Sequence, residues 1–274
     1  MNKKINIGIV GCGAIGSSLA KTVKLQLSKQ ANLAAFYDFD SVKALKLAKG
    51  LRVNKGSVVN NLGALIKKSD LVIEAASAAC SWDIAQKSLN KGRSVMIMSV
   101  GGVIERVTQL NNLAQKHNTH VYIPSGAIAG IDALKAAASG KIDKVTLTTY
   151  KNPLAFKGVR YVEESGINLS SIKSDKVLFS GPAVKAVKLF PQNINVAAVL
   201  SMAGIGAKKT IVKIVACPKA GKNIHQIEIE SSAGKITTRT ENVLHPENPK
   251  TSYLAVLAAV ATLKQILVPV KIGT

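Results

Sequence analysis

Acidic residues are scarce in this chain: 15 Asp and Glu stand against 37 Lys and Arg in 274 residues, a formal net charge of +22. Aromatics make up 4% of it, and there are three cysteines, Cys12, Cys80 and Cys217. Thiols so few and so far apart exclude a disulfide framework and a zinc motif. No two histidines have the spacing of metal ligands on one helix or strand face, so no metal is expected. No apolar run is long enough to span a bilayer, and the first ten residues, MNKKINIGIV, lead straight into a strand instead of a signal peptide. A cytoplasmic protein away from membranes is expected. The shortage of acids excludes less. A +22 surface suits nucleic acid, but the lysines come singly or in pairs along the whole chain. There is no basic block interleaved with aromatics, and no helix-turn-helix, zinc-finger or RNP-type motif. A generally basic surface is the plainer reading, and its field would also steer an anionic substrate toward a cleft.

What is present begins at residues 5–16, INIGIVGCGAIG. An apolar strand runs into Gly11-Cys12-Gly13-Ala14-Ile15-Gly16 and then into a helix over 17–25. This is the Gly-x-Gly-x-x-Gly dinucleotide fingerprint. Gly11 permits the tight turn, Gly13 lets the backbone approach a pyrophosphate, and Gly16 lets the helix pack closely on the strand. The helix start presents free N–H groups, those of Ala14 and Ile15 among them, to the phosphates. A second strand over 33–38 ends at Asp38, about 20 residues beyond Gly16, where a carboxylate accepts hydrogen bonds from the adenosine ribose. Such a carboxylate repels a 2′-phosphate and tilts the choice toward NAD, while nearby Lys43 and Lys46 keep NADP open. The alternative is a solvated turn acid.

The alternation continues with a helix at 41–50, a short strand at 57–59, a helix at 62–68 and a strand at 70–76. A helix at 82–90, a strand at 94–99, a helix at 105–117 and a strand at 121–123 follow. Strands alternating with helices specify a doubly wound parallel sheet of Rossmann type, with ligands at the carboxyl ends of its strands. That rule singles out the small residues 75–78, Ala75 and Ser77 among them. Beyond about residue 130 the pattern changes. After a helix at 130–139, strands at 144–150, 211–217, 224–230 and 235–240 suggest an α+β domain with a largely antiparallel sheet. The final helix, 251–267, is apolar on most faces and should be buried against the first domain. The expected division is a dinucleotide domain over 1–128, completed by 246–274, and a catalytic, dimerising domain over 129–245.

Four later segments could carry chemistry. Residues 123–132, IPSGAIAGID, bring tiny side chains, Ala129 among them, to the end of a strand, where backbone can approach a flat ring; a plain connector has the same composition. Residues 190–198, FPQNINVAA, set Asn193 and Asn195 at a helix entry. One amide suffices for a cap, and the other could bind a carboxamide. In residues 223–230, NIHQIEIE, strand alternation puts His225 on the inward face with Ile227 and Ile229, leaving Gln226, Glu228 and Glu230 outside. An inward imidazole is either a hydrogen-bonded core residue or an acid/base at a cleft wall. His117 and His120 fall where solvent reaches them, and His245 is the other candidate. Residues 242–252 hold two prolines before the last helix, whose start, with Lys250, Thr251 and Ser252, could hold a carboxylate.

Together, GCGAIG, EAAS at 74–77, PSGAIAGIDAL, FPQNINVAA, NIHQIEIE and HPENPKTS resemble the L-aspartate dehydrogenase family over nearly the whole chain. The glycine loop is shared with many oxidoreductases; the last four motifs together are specific. The resemblance implies a homodimer with a Rossmann domain and an α+β catalytic domain. It implies oxidation of L-aspartate, a small dicarboxylate amino acid, to iminoaspartate with NAD or NADP. The imine feeds NAD biosynthesis or hydrolyses to oxaloacetate and ammonia. It further implies that His225 is catalytic and that Ala129 and Asn195 contact the dinucleotide. Two other readings compete: a two-domain reductase of the homoserine or dihydrodipicolinate type, and a non-catalytic dinucleotide- or nucleic-acid-binding protein.

Overall fold

The structure, a computed structural model, describes residues 4–190, 194–246 and 248–273. The chain divides into two compact units, one of residues 1–124 and 256–271, the other of residues 125–255 and 272–274.

The first unit begins with β1 (Ile5–Val10), α1 (Ala14–Gln26), β2 (Ala31–Tyr37), α2 (Ser41–Gly50) and α3 (Leu62–Lys68). It continues with β3 (Leu71–Glu74), α4 (Ala78–Asn90), β4 (Ser94–Ile97), α5 (Val107–Lys116) and β5 (Val121–Tyr122). The strands form one sheet in the order β2-β1-β3-β4-β5, every pair parallel. The order reverses between β1 and β3, so the ligand crevice lies at the carboxyl ends of those two strands. β3 and all but the first residue of β4 are buried, as strands covered on both faces must be.

Two helices start earlier than the apolar periodicity indicates. α1 begins at Ala14, directly after Gly13, and α4 at Ala78, after Ser77. Alanines at a first turn leave little hydrophobic signal, which hides the boundary. The strand expected at 57–59 is absent as a strand. Lys55–Ser57 form a 3-10 turn capped by the Asn54 side chain on the Gly56 N–H, and one parallel bridge, Phe36 to Val58, holds the outer strand's place.

The second unit contains α6 (Ile131–Ala137), β6 (Ile142–Lys151), α7 (Arg160–Glu164), β7 (Lys176–Pro182), α8 (Ala183–Leu189) and α9 (Ile194–Ala203). There follow β8 (Ile211–Ala216), β9 (Asn223–Ser231), β10 (Gly234–Asn242), β11 (Leu244–His245) and β12 (Asn248–Ser252), and then α10 (Tyr253–Leu267), which from Val256 onward belongs to the first unit. The main sheet runs β10-β9-β6-β8-β7. Three of its pairings are antiparallel, but the central pair β6–β8 is parallel. β7 completes the edge; its alternation is broken by a register irregularity between Val177 and Phe179, which conceals it in the sequence. One face of this sheet carries Val145, Leu147, Val212, Ile214, Ile227 and Ile229 into a core shared with Leu134, Phe156, Phe190 and Leu200.

The last helix departs from expectation. Val256, Ala259 and Leu263 are buried, and the latter two belong to the core of the first unit with Leu19, Ile73 and Met96. Tyr253, Leu254 and Leu257 are 37–44% exposed. A helix packed on one side buries a stripe about 100° wide, so an all-round apolar sequence leaves its other face open. Its approach is also extended: residues through Ser252 are β12, paired with β11. The Asn248 amide donates to the Thr251 hydroxyl, and the helix begins at Tyr253 instead of at residue 251. His245 lies in β11, not in a loop, buried edge-on against the Tyr253 ring.

Candidate active site

In the first unit the fingerprint turn sits beside the β3 end. Gly11 has φ +91°, a left-handed conformation that disfavours any side chain, and a Cβ placed on it would lie 2.4 Å from the Ala75 carbonyl oxygen. A Cβ on Gly16 would lie 1.9 Å from the Gly11 carbonyl oxygen and 3.3 Å from Ile9 Cγ2, so only glycine lets the helix come this close to the strand and its turn. Gly13 is different: a Cβ there would meet nothing within 4 Å. It occupies the N-cap position of α1 without a side-chain cap, so the first N–H groups of the helix are left for another acceptor. Open space above an uncapped helix start is what a pyrophosphate requires.

Asp38 is joined to this turn directly. One carboxylate oxygen accepts from the Cys12 N–H at 2.7 Å and the other from the Asp40 N–H at 2.9 Å. The ribose candidate is thus aimed at the glycine loop. Burial, with the Asp38 charge adding to it, pushes the Cys12 thiol up to about 12, so this cysteine stays protonated and inert.

Glu74, which the sequence marks only as the first residue of EAAS, organises the neighbouring loops. Its carboxylate, fully buried, accepts from the Ala76 N–H, the Ser99 N–H and the Ser99 hydroxyl at 2.8–2.9 Å. Burial raises its pKa and these hydrogen bonds oppose the rise. It thereby ties the turn bearing Ala75 and Ser77 to the end of β4. Ser77 precedes α4 and is exposed, its hydroxyl 3.3 Å from the Cys80 sulfur.

In the second unit, register assembles the site. His225 on β9 lies between Thr149 of β6 and Thr240 of β10. All three side chains share the core face, as cross-strand partners do. His225 is 5% exposed, and its Nδ1 lies 3.0 Å from the Thr149 Oγ1. No described residue meets Nε2. The inward orientation read from alternation is therefore observed, with Gln226, Glu228 and Glu230 on the other face. Burial, reinforced by the ammonium of Lys151, pushes the imidazole down to about 4, so it is neutral at pH 7.

The tiny-residue loop is fastened to the same face. Thr238 donates its hydroxyl to the Ala129 carbonyl, and Thr240 and the Asn242 amide both donate to the Ala127 carbonyl, at 3.0–3.1 Å. Gly130 follows with φ +89°, packed against the Thr238 methyl. Ala129 is left exposed at the loop's surface. The strands that present His225 thus also set the height of Ala129, one β-strand away. Asn195 is exposed on the first turn of α9, whose Ala197 and Leu200 are buried. Asn193 lies outside the described residues. Among the described residues no group of His, Cys, Asp and Glu could hold a metal ion.

The low value of His225 has a consequence for stability. The unfolded chain takes up the proton near pH 6.5 and the folded chain only near 4. Its contribution is therefore complete above pH 6.5 and is lost as pH falls toward 4, by about 3 kcal/mol for a shift of this size. Urea unfolding between pH 7 and 4 should show this slope in the wild-type protein and a flatter one in His225→Gln; parallel curves would contradict it.

Known proteins resemble this chain over nearly its whole length. Residues 132–266 match the family model described as aspartate dehydrogenase, C-terminal, and residues 11–124 that described as homoserine dehydrogenase, NAD binding domain. The L-aspartate dehydrogenase of Methanosarcina acetivorans is 46% identical over 272 residues, 98% of this chain and 100% of that protein. The chain belongs to the L-aspartate dehydrogenase family. The family member from Methanococcus maripaludis strain C6 is 43% identical, over 98% of this chain and 100% of its own length. The crystal structure of aspartate dehydrogenase from Thermotoga maritima matches with a TM-score of 0.71 and 26% identity, over 99% of this chain and 100% of that one. A homoserine dehydrogenase from Thiobacillus denitrificans, at 14% identity, TM-score 0.64, and 97% and 73% coverage, shares the fold. Within the L-aspartate dehydrogenase family, the homoserine-type reading narrows to a shared architecture.

Proposed function

We propose that this chain is an NAD(P)-dependent L-aspartate dehydrogenase, oxidising L-aspartate to iminoaspartate, or running the reverse reductive amination, in service of NAD biosynthesis. The observation that carries the reading is a buried, neutral His225 with Nδ1 occupied by Thr149 and Nε2 unpartnered among the described residues, in a chain of this family. A catalytic base needs that arrangement: one nitrogen fixes the ring, the other works.

Gly11, Gly13 and the N–H groups of Ala14, Ile15 and Gly16 are assigned to the pyrophosphate. Asp38 is assigned to the ribose, Ala75 and Ser77 to the β3 end of the crevice, and Ala129 and Asn195 to further dinucleotide contacts. The dinucleotide supplies the hydride acceptor. The protein's part is acid–base: His225 Nε2 accepts a proton from the substrate amine or from the water that adds to the imine, and returns it to the departing ammonia. The +22 charge supports an anionic substrate through steering. We further read the protein as a cytoplasmic homodimer, as the family resemblance implies.

The test is direct. Purified protein should reduce NAD with L-aspartate, and oxidise NADH with oxaloacetate plus ammonium but not with aspartate semialdehyde. NAD should be favoured over NADP because the Asp38 carboxylate repels a 2′-phosphate. Turnover of aspartate semialdehyde alone would move the activity to the homoserine type, and salt-sensitive DNA retention without turnover would support a binding protein.

A further inference from the structure

One cation on the His225 face is unexplained by the assignments above. Lys151 is the last residue of β6, two residues beyond Thr149, and strand alternation puts it on the same face. Its register partner is Ala216, wholly buried in the core on that face. The intervening Tyr150 points the other way, where Arg239 lies 5.8 Å above its ring. Successive same-face residues on a strand are about 7 Å apart, so the Lys151 stem starts one such step from the threonine that holds the histidine.

The backbone there is fixed on both sides. The Lys151 carbonyl accepts from the Cys217 N–H at 2.8 Å. Asn152 caps the next turn through the Leu154 N–H and donates its amide to the Pro218 carbonyl. The ammonium is the unusual part. Lys151 is half-buried, yet among the described residues no carboxylate or hydrogen-bond acceptor meets it. The acids of these strands are engaged elsewhere: Asp143 with Lys141, Glu230 with Lys144 and Glu241 with Arg239, while Asp175, just before the β7 residue paired with Ala216, lies against the Cys217 thiol. Glu228, Glu230 and Glu241 also lie on the opposite face of the sheet. A half-buried lysine without an anion is costly to keep. Burial pushes its pKa down, and its charge in turn disfavours a proton on His225. Both penalties are relieved by one event, the arrival of an anion between the two side chains.

We propose that Lys151 is a substrate-binding residue whose ammonium pairs with a carboxylate of the dicarboxylate substrate beside His225. This rests on the aspartate dehydrogenase reading, and it adds the group that makes the site select an acid. Because the ammonium and the imidazole share one face, the substrate is held by its charge while its amine-bearing carbon is presented to the histidine.

The test compares wild type, Lys151→Met and Lys151→Arg with L-aspartate and with its two monoamides, asparagine and the α-amide. Loss of a charge-assisted hydrogen bond should raise KM for aspartate by roughly 10–100-fold in Lys151→Met, with a smaller change in kcat. Arginine should restore much of it, since it keeps the charge. The amide that replaces the gripped carboxylate should be a poor substrate for wild type but comparable to aspartate for Lys151→Met, which identifies the carboxylate concerned. NADH affinity measured by fluorescence should match wild type in both variants and reports that they are folded. If wild type does not oxidise aspartate, the functional reading fails. If wild type does, and Lys151→Met keeps both KM and discrimination between acid and amides, the role of Lys151 fails alone.

Discussion

Replacing His225 by alanine is expected to lower kcat for aspartate oxidation by about 10²–10⁴-fold, the usual worth of a positioned acid–base group, while leaving NADH affinity within about twofold of wild type. The groups proposed to bind the dinucleotide do not include it. The ring is held by one hydrogen bond to Thr149 and a buried aliphatic face, so its loss opens a cavity but removes no backbone support. The pH profile carries a second part of the prediction. A base whose pKa is pushed to about 4 works poorly near neutrality, because its proton affinity is too low. The same environment supplies the remedy: an anionic substrate cancels the repulsion from Lys151 and stabilises the imidazolium. The acid limb of kcat, which reports the substrate complex, should therefore lie at higher pH than the acid limb of kcat/KM, which reports the free enzyme. Both limbs should vanish in His225→Ala. Turnover near the wild-type rate in that variant, or coincident limbs in the wild type, would remove the histidine from proton transfer.

Much of this site was legible in the sequence because strand and helix periodicities carry it. Alternation alone placed His225, Ile227 and Ile229 inward, and the glycine spacing located the turn that Asp38 does contact. What stayed hidden depended on register between segments distant in the chain. Nothing in TLTTYK announces that Thr149 lies opposite His225, 76 residues away, or that Thr238, Thr240 and Asn242 suspend the Ala127–Ala129 carbonyls. A signal for Lys151 did exist: it continues the inward series Val145, Leu147, Thr149, and a lysine in an inward register is anomalous. Glu74 offered a similar cue as an acid at the end of an apolar strand, but its three acceptor roles lie in loop geometry. The last helix misled for the opposite reason. Composition reports how apolar a helix is, not how much neighbouring surface exists to cover it, and Tyr253, Leu254 and Leu257 remain uncovered.

The glycines of the fingerprint should separate folding from cofactor binding. Gly11→Ala is expected to destabilise the first unit by roughly 2–4 kcal/mol, combining a left-handed backbone with a clash against the loop at Ala75. It should also raise the Kd for NADH by at least about 100-fold, a change of roughly 3 kcal/mol. The shift needed to clear the Ala75 carbonyl disturbs the turn that presents the helix N–H groups and the Cys12 N–H bonded to Asp38. Gly13→Ala is the contrasting case. Its φ of −74° suits alanine and its Cβ meets no protein atom within 4 Å, so thermal unfolding should be that of wild type. Its methyl group nevertheless stands in the open space over the uncapped start of α1, and NADH affinity should fall by about tenfold or more because the pyrophosphate can no longer approach the backbone. The pair of variants thus distinguishes a turn built for close approach from a turn that is merely tight. Calorimetry and NADH fluorescence titration on both would decide it. Wild-type affinity in Gly13→Ala would mean that the phosphates lie elsewhere, and wild-type stability in Gly11→Ala would mean that the contact with Ala75 is not as close as 2.4 Å.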